Sequence, residues 1–320
     1  MPRPSRHWRL SAMRNAFVRE LTAIAARDPN TLLITGDLGF GVLTDFARRF
    51  PRQYLNAGVA EQNMTALATG LALEGRTVFT YSIANFPTLR CLEQIRNDVC
   101  YHRANVKIVS IGAGFAYGPL GISHHATEDI AIMRALPNLT VFSPADPHEV
   151  NLVTRAAHAT AGACYLRLGR GGEPTIHPVE PEFSIGEAIQ LVAGRDVVIL
   201  GTGGIVAVAQ KTRALLAAEG IDAALFSVPT LKPFPVAWLR RIASAARLIV
   251  TIEEHSVIGG LGGGVAEVVA ETPGRTARLL RCGLSDEFSC LVGSQDYLRR
   301  RYGLAAEDIA PRVRAALAAT

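Results

Sequence analysis

The sequence predicts an α/β fold of two doubly wound domains, and three observations predict it. Short apolar, β-branched runs alternate along the chain with amphipathic stretches of helical period, the pattern of parallel strands covered by helices on both faces. The chain has 320 residues, 49% of them hydrophobic, which suits about two cores at a typical ~150 residues each. The alternation fails once, over residues 169–187 (GRGGEPTIHPVEPEFSIGE), where Gly, Pro and acidic residues give the composition of a linker. The domains are therefore expected at 8–172 and 190–320.

Each element follows from its own run. Strands are expected at TLLIT (31–35), VFTYS (78–82), VKIVSI (106–111), LTVF (139–142), CYLRL (164–168), DVVIL (196–200), AALFS (223–227) and LIVTI (248–252). Helices are expected in the amphipathic stretches 11–27, 61–73, 92–102, 128–135, 147–159, 206–219, 237–245, 263–271 and 307–318. One helix start is well marked. Asp146 can cap, Pro147 sits at the first helical position, where its missing N–H costs nothing, and Glu149 completes a capping-box pattern.

Composition excludes several classes. No apolar run approaches the ~20 residues of a membrane span, so no membrane partner is expected. The basic start MPRPSRHWRL leads into no apolar stretch with a small-residue cleavage site, so no secretory signal is expected. The five cysteines (Cys91, Cys100, Cys164, Cys282, Cys290) form no C-x-x-C pair and fit thiols of a reducing cytoplasm better than a disulfide or zinc framework. The formal net charge of +5 is almost all arginine, scattered in short clusters without interleaved aromatics, so no nucleic-acid partner is expected.

Glycine-rich turns at 201–204 and 259–264 both fail the G-x-G-x-x-G fingerprint, and no G-K-[ST] occurs. Dinucleotide and P-loop binding are therefore not expected. Two other constellations carry chemistry. Glu61 enters the first turn of a helix just after a Gly-containing loop. The helix dipole alone would favour an acid there, but its small and apolar neighbours suggest a partly desolvated carboxyl. The long glycine-rich loop 112–122 follows a parallel strand, at the carboxyl end where such sheets bind ligands, and delivers His124 and His125 to a helix start. Adjacent histidines point apart, and no third ligand stands at a metal-binding spacing.

Taken in order, G-V-A-E-Q-N-M (58–64), T-Y-S-I-A-N-F (80–86), G-I-S-H-H-A-T-E-D (121–129), F-S-P-A-D-P-H-E-V (142–150), Y-L-R-L-G-R-G (165–171) and E-E-H-S-V-I-G-G-L-G (253–262) resemble the C-terminal half of transketolase. They are most similar to the split form, in which that half is a separate subunit. The resemblance implies a pyrimidine-binding thiamine-diphosphate domain followed by a transketolase C-terminal domain. It implies a transferase that moves a two-carbon ketol or acyl unit through a thiamine-diphosphate carbanion to an aldehyde-type acceptor, from a small-molecule ketose or 2-oxo acid. The family's diphosphate motif, G-D-G with a later asparagine, is absent; the only Gly-Asp is Gly36-Asp37. The resemblance therefore implies that an N-terminal partner subunit holds the diphosphate with Mg2+ or Ca2+, and that the two form an α2β2 heterotetramer around a shared cofactor.

By the same resemblance, Glu61 would bond the pyrimidine ring nitrogen with a carboxyl of raised pKa. Phe86 would stack on the pyrimidine, with Tyr81 the other candidate, and Asp37 would lie near the cofactor. His124 would contact the substrate at the reacting carbons, with His125 its neighbour at the helix start. Arg14 would lie on the phosphate side, and one of Arg167 and Arg170 would reach a substrate phosphate or carboxylate, which arginine suits. Four positions depart from the family. Leu120 replaces an aspartate, Ile122 a proline, Gly112 a second substrate histidine and Gly41 a serine, so part of the sugar-phosphate pocket is expected to be rebuilt. Two other readings stay open: the β-subunit of a 2-oxoacid dehydrogenase-type complex, and a non-catalytic interaction or regulatory module of the same fold.

Overall fold

The computed structural model describes residues 12–274 and 276–319. The start of the first expected helix and residues 8–11 of the first expected domain lie outside the described residues, as does Thr320. The first part of the chain forms α1 (Met13–Ala25), β1 (Thr31–Thr35), α2 (Thr44–Arg49), β2 (Tyr54–Asn56), α3 (Glu61–Leu73), β3 (Thr77–Ile83), β4 (Val106–Ile111), α4 (Asp129–Ala135), β5 (Leu139–Phe142), α5 (Pro147–Ala159) and β6 (Ala163–Leu168). The rest forms β7 (Ile189–Val192), β8 (Val197–Gly201), α6 (Val206–Ala218), β9 (Ala223–Ser227), β10 (Thr230–Lys232), α7 (Val236–Ala245), β11 (Leu248–Ser256), α8 (Leu261–Ala270), β12 (Arg278–Leu284), α9 (Gln295–Arg301) and α10 (Ala306–Ala318).

Two sheets organise these elements, as the alternating pattern predicts. The first has seven strands in the order β10-β5-β6-β4-β3-β1-β2, and the second five in the order β12-β11-β8-β9-β7. All pairings are parallel except β10 on β5 and β7 on β9. Side chains on a strand alternate between faces, and both faces of the first sheet are covered. Leu33, Phe79, Val109 and Leu166 pack against Phe17 of α1 and Val153 of α5. Ile34, Val78, Ile108 and Tyr165 face Met64 of α3 and Met133 of α4. The second sheet buries Val197, Ile199 and Val250 against α6 and α10 on one face. Its other face, with Val198, Leu200 and Ile249, joins the core of the first sheet.

The four strands absent from the sequence reading are β2, β7, β10 and β12, which are the four edges of the two sheets. An edge strand has one neighbour and an open side, so it lacks the continuous apolar run of a central strand. The expected helix 92–102 is also irregular. It is a 3-10 turn (Leu89–Cys91), one α turn (Leu92–Gln94) and a π segment (Ile95–Cys100), a form that clusters at functional sites.

The linker-like segment is pinned rather than loose. Asp146 Oδ1 caps α5 at the N–H of Glu149 (2.9 Å). Its Oδ2 accepts the N–H groups of Ile176 (2.8 Å) and His177 (3.0 Å), and the His177 ring lies 2.8 Å from Glu149 Oε1. No helix among the described residues is long and apolar enough to cross a membrane. Cys91, Cys100, Cys164 and Cys282 are buried free thiols, and Cys290 is an exposed one.

Candidate active site

The carboxyl ends of β1, β3, β4 and β6 point the same way because these strands are parallel, and the loops leaving them build one face. Glu61 opens α3 beneath this face and is only 2% exposed. It lies against Gly36, where a Cβ would come within 3.3 Å of the glutamate Cγ. Its Oε2 accepts a hydrogen bond from Arg90 Nη1 at 2.7 Å, and Ser82 Oγ stands 3.5 Å from Oε1. The burial expected of Glu61 is present. Its carboxylate, however, is paired with a cation and not isolated.

A row of side chains runs from this pair. The Arg90 guanidinium lies over the Phe86 ring, 4.5 Å from its centroid. Phe86 meets His124 edge-on at 5.0 Å. The next ring is Tyr117, 5.9 Å from that of His124, and the Arg170 guanidinium lies 4.8 Å from the Tyr117 centroid. His124 is half-buried, and its Nδ1 is 3.0 Å from Ser123 Oγ. Burial, with a smaller contribution from His125, lowers its pKa from the ordinary value of 6.5. The row thus joins a buried carboxylate, a half-buried aromatic and an imidazole that stays neutral near pH 7, and it ends on an exposed guanidinium.

Several expected site residues stand elsewhere. Tyr81 is not beside Phe86. It is 2% exposed and stacked on Phe17 of α1 at 6.1 Å, where burial raises its pKa. Arg167 does not reach the row either. It is 2% exposed; its Nε bonds Asp129 Oδ2 at 2.7 Å, and its Nη2 donates to the carbonyls of Ala126 (2.8 Å) and Glu254 (3.0 Å). His125 is fully buried, with Nε2 3.1 Å from the Gly118 carbonyl and its ring against Phe115. It stands four residues before α4 opens at Asp129 and braces the loop rather than starting the helix. Asp37 is exposed at φ 55° beside Gly36, exchanging hydrogen bonds with Asn56 at 3.0 and 2.9 Å. Arg14 is half-buried on α1, in a surface hollow shared with Phe40 and Gly41, and its charge acts on both Tyr81 and Tyr117.

The sequence reading missed Arg90, Tyr117 and Glu254. Arg90 lies where helical periodicity fails, so its direction could not be read. Tyr117 had one signal, the glycine five residues earlier. Glu254 reaches across from β11: its Oε1 accepts the Phe115 N–H at 2.6 Å, and Gln295 and Arg299 donate to the same carboxylate. The second part of the chain therefore holds the loop that carries Tyr117 and His124.

Comparison with known proteins places this architecture. Residues 10–173 match the transketolase pyrimidine-binding domain and residues 186–309 the transketolase C-terminal domain. A protein of Methanocaldococcus jannaschii named as a transketolase C-terminal section is 40% identical, over 94% of this chain and 95% of that one. One of the subunits of the apulose-4-phosphate transketolase of Phocaeicola vulgatus is 34% identical, over 93% and 95% of the two chains. A solved structure described as a split gene transketolase, inactive beta4 tetramer, superimposes with a TM-score of 0.86 at 37% identity, covering 96% of this chain and 98% of that one. The fold, both domain matches and these relatives agree that the chain belongs to the transketolase family.

Proposed function

We propose that this chain is the subunit of a two-part transketolase that holds the pyrimidine end of thiamine diphosphate. The observation that carries the proposal is the Arg90 guanidinium, a flat nitrogen-rich group lying over Phe86 at 4.5 Å and donating to Glu61 at 2.7 Å. An aminopyrimidine ring is also flat and nitrogen-rich, and it would need the same two contacts, an aromatic face and a buried carboxyl. The residues present therefore fit the group, with Glu61 toward the ring nitrogen, Phe86 on the ring face and Arg90 yielding its place. Asp37 follows Gly36, the residue against which Glu61 lies. When bound, the cofactor supplies the nucleophilic carbon and electron sink that a two-carbon transfer needs.

The chain's own residues do the rest. Glu61, itself buried, holds or shares a proton at the ring nitrogen. His124, neutral near pH 7, accepts or donates a proton at a substrate oxygen beside the reacting carbons. Arg170 and Arg14 offer cationic forks to the charged end of a substrate. A partner chain supplies the grip on the diphosphate and its Mg2+ or Ca2+, in an α2β2 assembly. The substrate is a ketose or 2-oxo acid with an anionic end, transferred to an aldehyde-type acceptor; the relative named for a 4-phosphorylated sugar supports this. The transketolase relatives favour this reading over the 2-oxoacid dehydrogenase alternative.

The test is proton exchange at C2 of the cofactor, followed by NMR in the co-purified complex, whose mass is measured in the same preparation. Glu61→Gln replaces the carboxyl by an amide at nearly constant shape. It is expected to slow exchange by about 100-fold or more. Wild-type exchange in the variant removes Glu61 from the mechanism, and strong exchange by the lone chain contradicts the two-part site.

A further inference from the structure

Tyr117 stands in a space that other side chains leave for it. A Cβ on Gly112 would lie 2.2 and 2.4 Å from the Tyr117 Cδ2 and Cε2 atoms, and Gly112 has φ 109°. No other residue fits at 112 while this ring is in place. Position 112 is also where the family resemblance puts a substrate histidine, so the ring that fills the space comes instead from five residues later on the same loop.

The surroundings of the phenol are those of a ligand contact. Tyr117 is only 8% exposed, yet its hydroxyl makes no hydrogen bond among the described residues. The hydroxyls of Tyr165 and Tyr302 each have one, to Asp129 at 2.6 Å and to Ser289 at 2.9 Å. The oxygen is not one of the buried polar atoms that lack a partner, so it is the end of the ring that opens to solvent, where a ligand can reach it. The ring lies between His124 and the Arg170 guanidinium, and the charges of Arg170 and Arg14 both act on it, against the larger effect of burial. The loop is held rigid around it. Glu254 takes the Phe115 N–H at 2.6 Å, and His125 donates to the Gly118 carbonyl.

We infer that the Tyr117 hydroxyl binds the oxyanion at the charged end of the donor substrate, beside Arg170 and Arg14, and so sets specificity for anionic donors. The inference rests on the proposed function and deepens it. A neutral hydroxyl on a ring flanked by the Arg170 guanidinium and the His124 imidazole, within reach of the Arg14 charge, donates its proton to an acceptor, and an oxyanion is the acceptor those cations attract. The adjacent Leu120 and Ile122 are 55% and 50% exposed and offer no hydroxyl-reading group. Recognition in this direction is thus concentrated on charge.

The test uses the complex of this chain with its diphosphate-binding partner. Ligand-observed NMR gives dissociation constants for fructose 6-phosphate and for fructose. Tyr117→Phe keeps the ring against Gly112, His124 and Arg170 and removes only the oxygen. The wild-type complex is expected to prefer the phosphate, and the variant to lose about tenfold or more of that preference with fructose binding unchanged. An unchanged preference in the variant, an equal loss for both sugars, or no phosphate preference in the wild type overturns the inference. Cofactor C2 exchange separates the two levels: if the wild-type complex exchanges normally, such a result sinks the role of Tyr117 alone, whereas absent exchange sinks the proposed function itself.

Discussion

Arg167 and Arg170 stand three residues apart, one within β6 and one beyond its end, and that difference decides their work. Every residue of β6 is buried, so a cation at position 167 must find its partners inside the protein. Asp129 and two carbonyls supply them. Position 170 is past the strand, exposed, and over the Tyr117 ring. Arg167→Met would leave Asp129 buried and charged without its cation, and a cost of about 3–5 kcal/mol is expected. Arg170→Met is expected to stay within ~0.5 kcal/mol of wild type. Urea unfolding midpoints of the two variants decide it, and equal midpoints would refute the division. The family resemblance points to one of the two as a substrate contact without choosing between them, because motif matching gives position and not the direction of a side chain. What separates them is the strand end at Leu168, which the apolar run already places.

Elements are legible in proportion to how fully their neighbours surround them. The central strands β1, β4, β5 and β9 and the helices α3 and α5 have the bounds their runs predict. The missed strands β2, β7, β10 and β12 are edges, half-satisfied by one neighbour and free to carry polar residues. The start of α5 is readable because a cap is local chemistry. Even so, the glutamate of the expected capping box bonds the N–H of Ala145 at 2.6 Å, one residue outside the cap. The second oxygen of Asp146, which ties down Ile176 and His177, is a long-range contact that no local pattern announces. Asp146→Ala removes the cap and leaves two further buried N–H groups without an acceptor. A loss of roughly 2–4 kcal/mol is expected, with limited proteolysis opening the chain near residue 176. A variant that melts like wild type and resists the protease would show that the linker is held by something else.

The two parts of the molecule share more than a linker, and acid should expose the joint. β10 pairs with β5 across the two halves, and Glu254 holds the loop of His124. The third connection is His255 of β11, fully buried. Its Nδ1 lies 2.7 Å from the Ser256 carbonyl, and its Nε2 is 3.3 Å from the N–H of Ala131 in α4. The first contact requires a proton on Nδ1. The second requires a lone pair on Nε2, so the ring is neutral and acts as an acceptor between the halves. Burial is the main cause that lowers its pKa from 6.5 to about 4, with the charge of Arg167 acting in the same direction and Asp129 against it. A histidine depressed on folding gives stability that is full above pH 6.5 and is lost as pH falls toward 4, because the unfolded chain takes the proton first. His177 works the other way. Burial lowers its pKa, but Glu149 outweighs that and raises it, so its contribution is present at low pH and fades above. Glu253, with its Oε2 3.8 Å from the His255 Nδ1, is raised by burial to about 7 and also favours the fold on acidification. These opposing groups make the wild-type curve alone ambiguous, so the measurement is a difference. His255→Gln supplies a neutral oxygen for the Ala131 N–H and cannot gain a proton. Thermal unfolding from pH 7.5 to 4 is expected to show the variant matching or trailing wild type near neutrality and gaining on it steadily below pH 6.5. Parallel curves would mean that His255 is protonated in both states or in neither, and the acid-sensitive joint would then have to be sought at another contact between the halves.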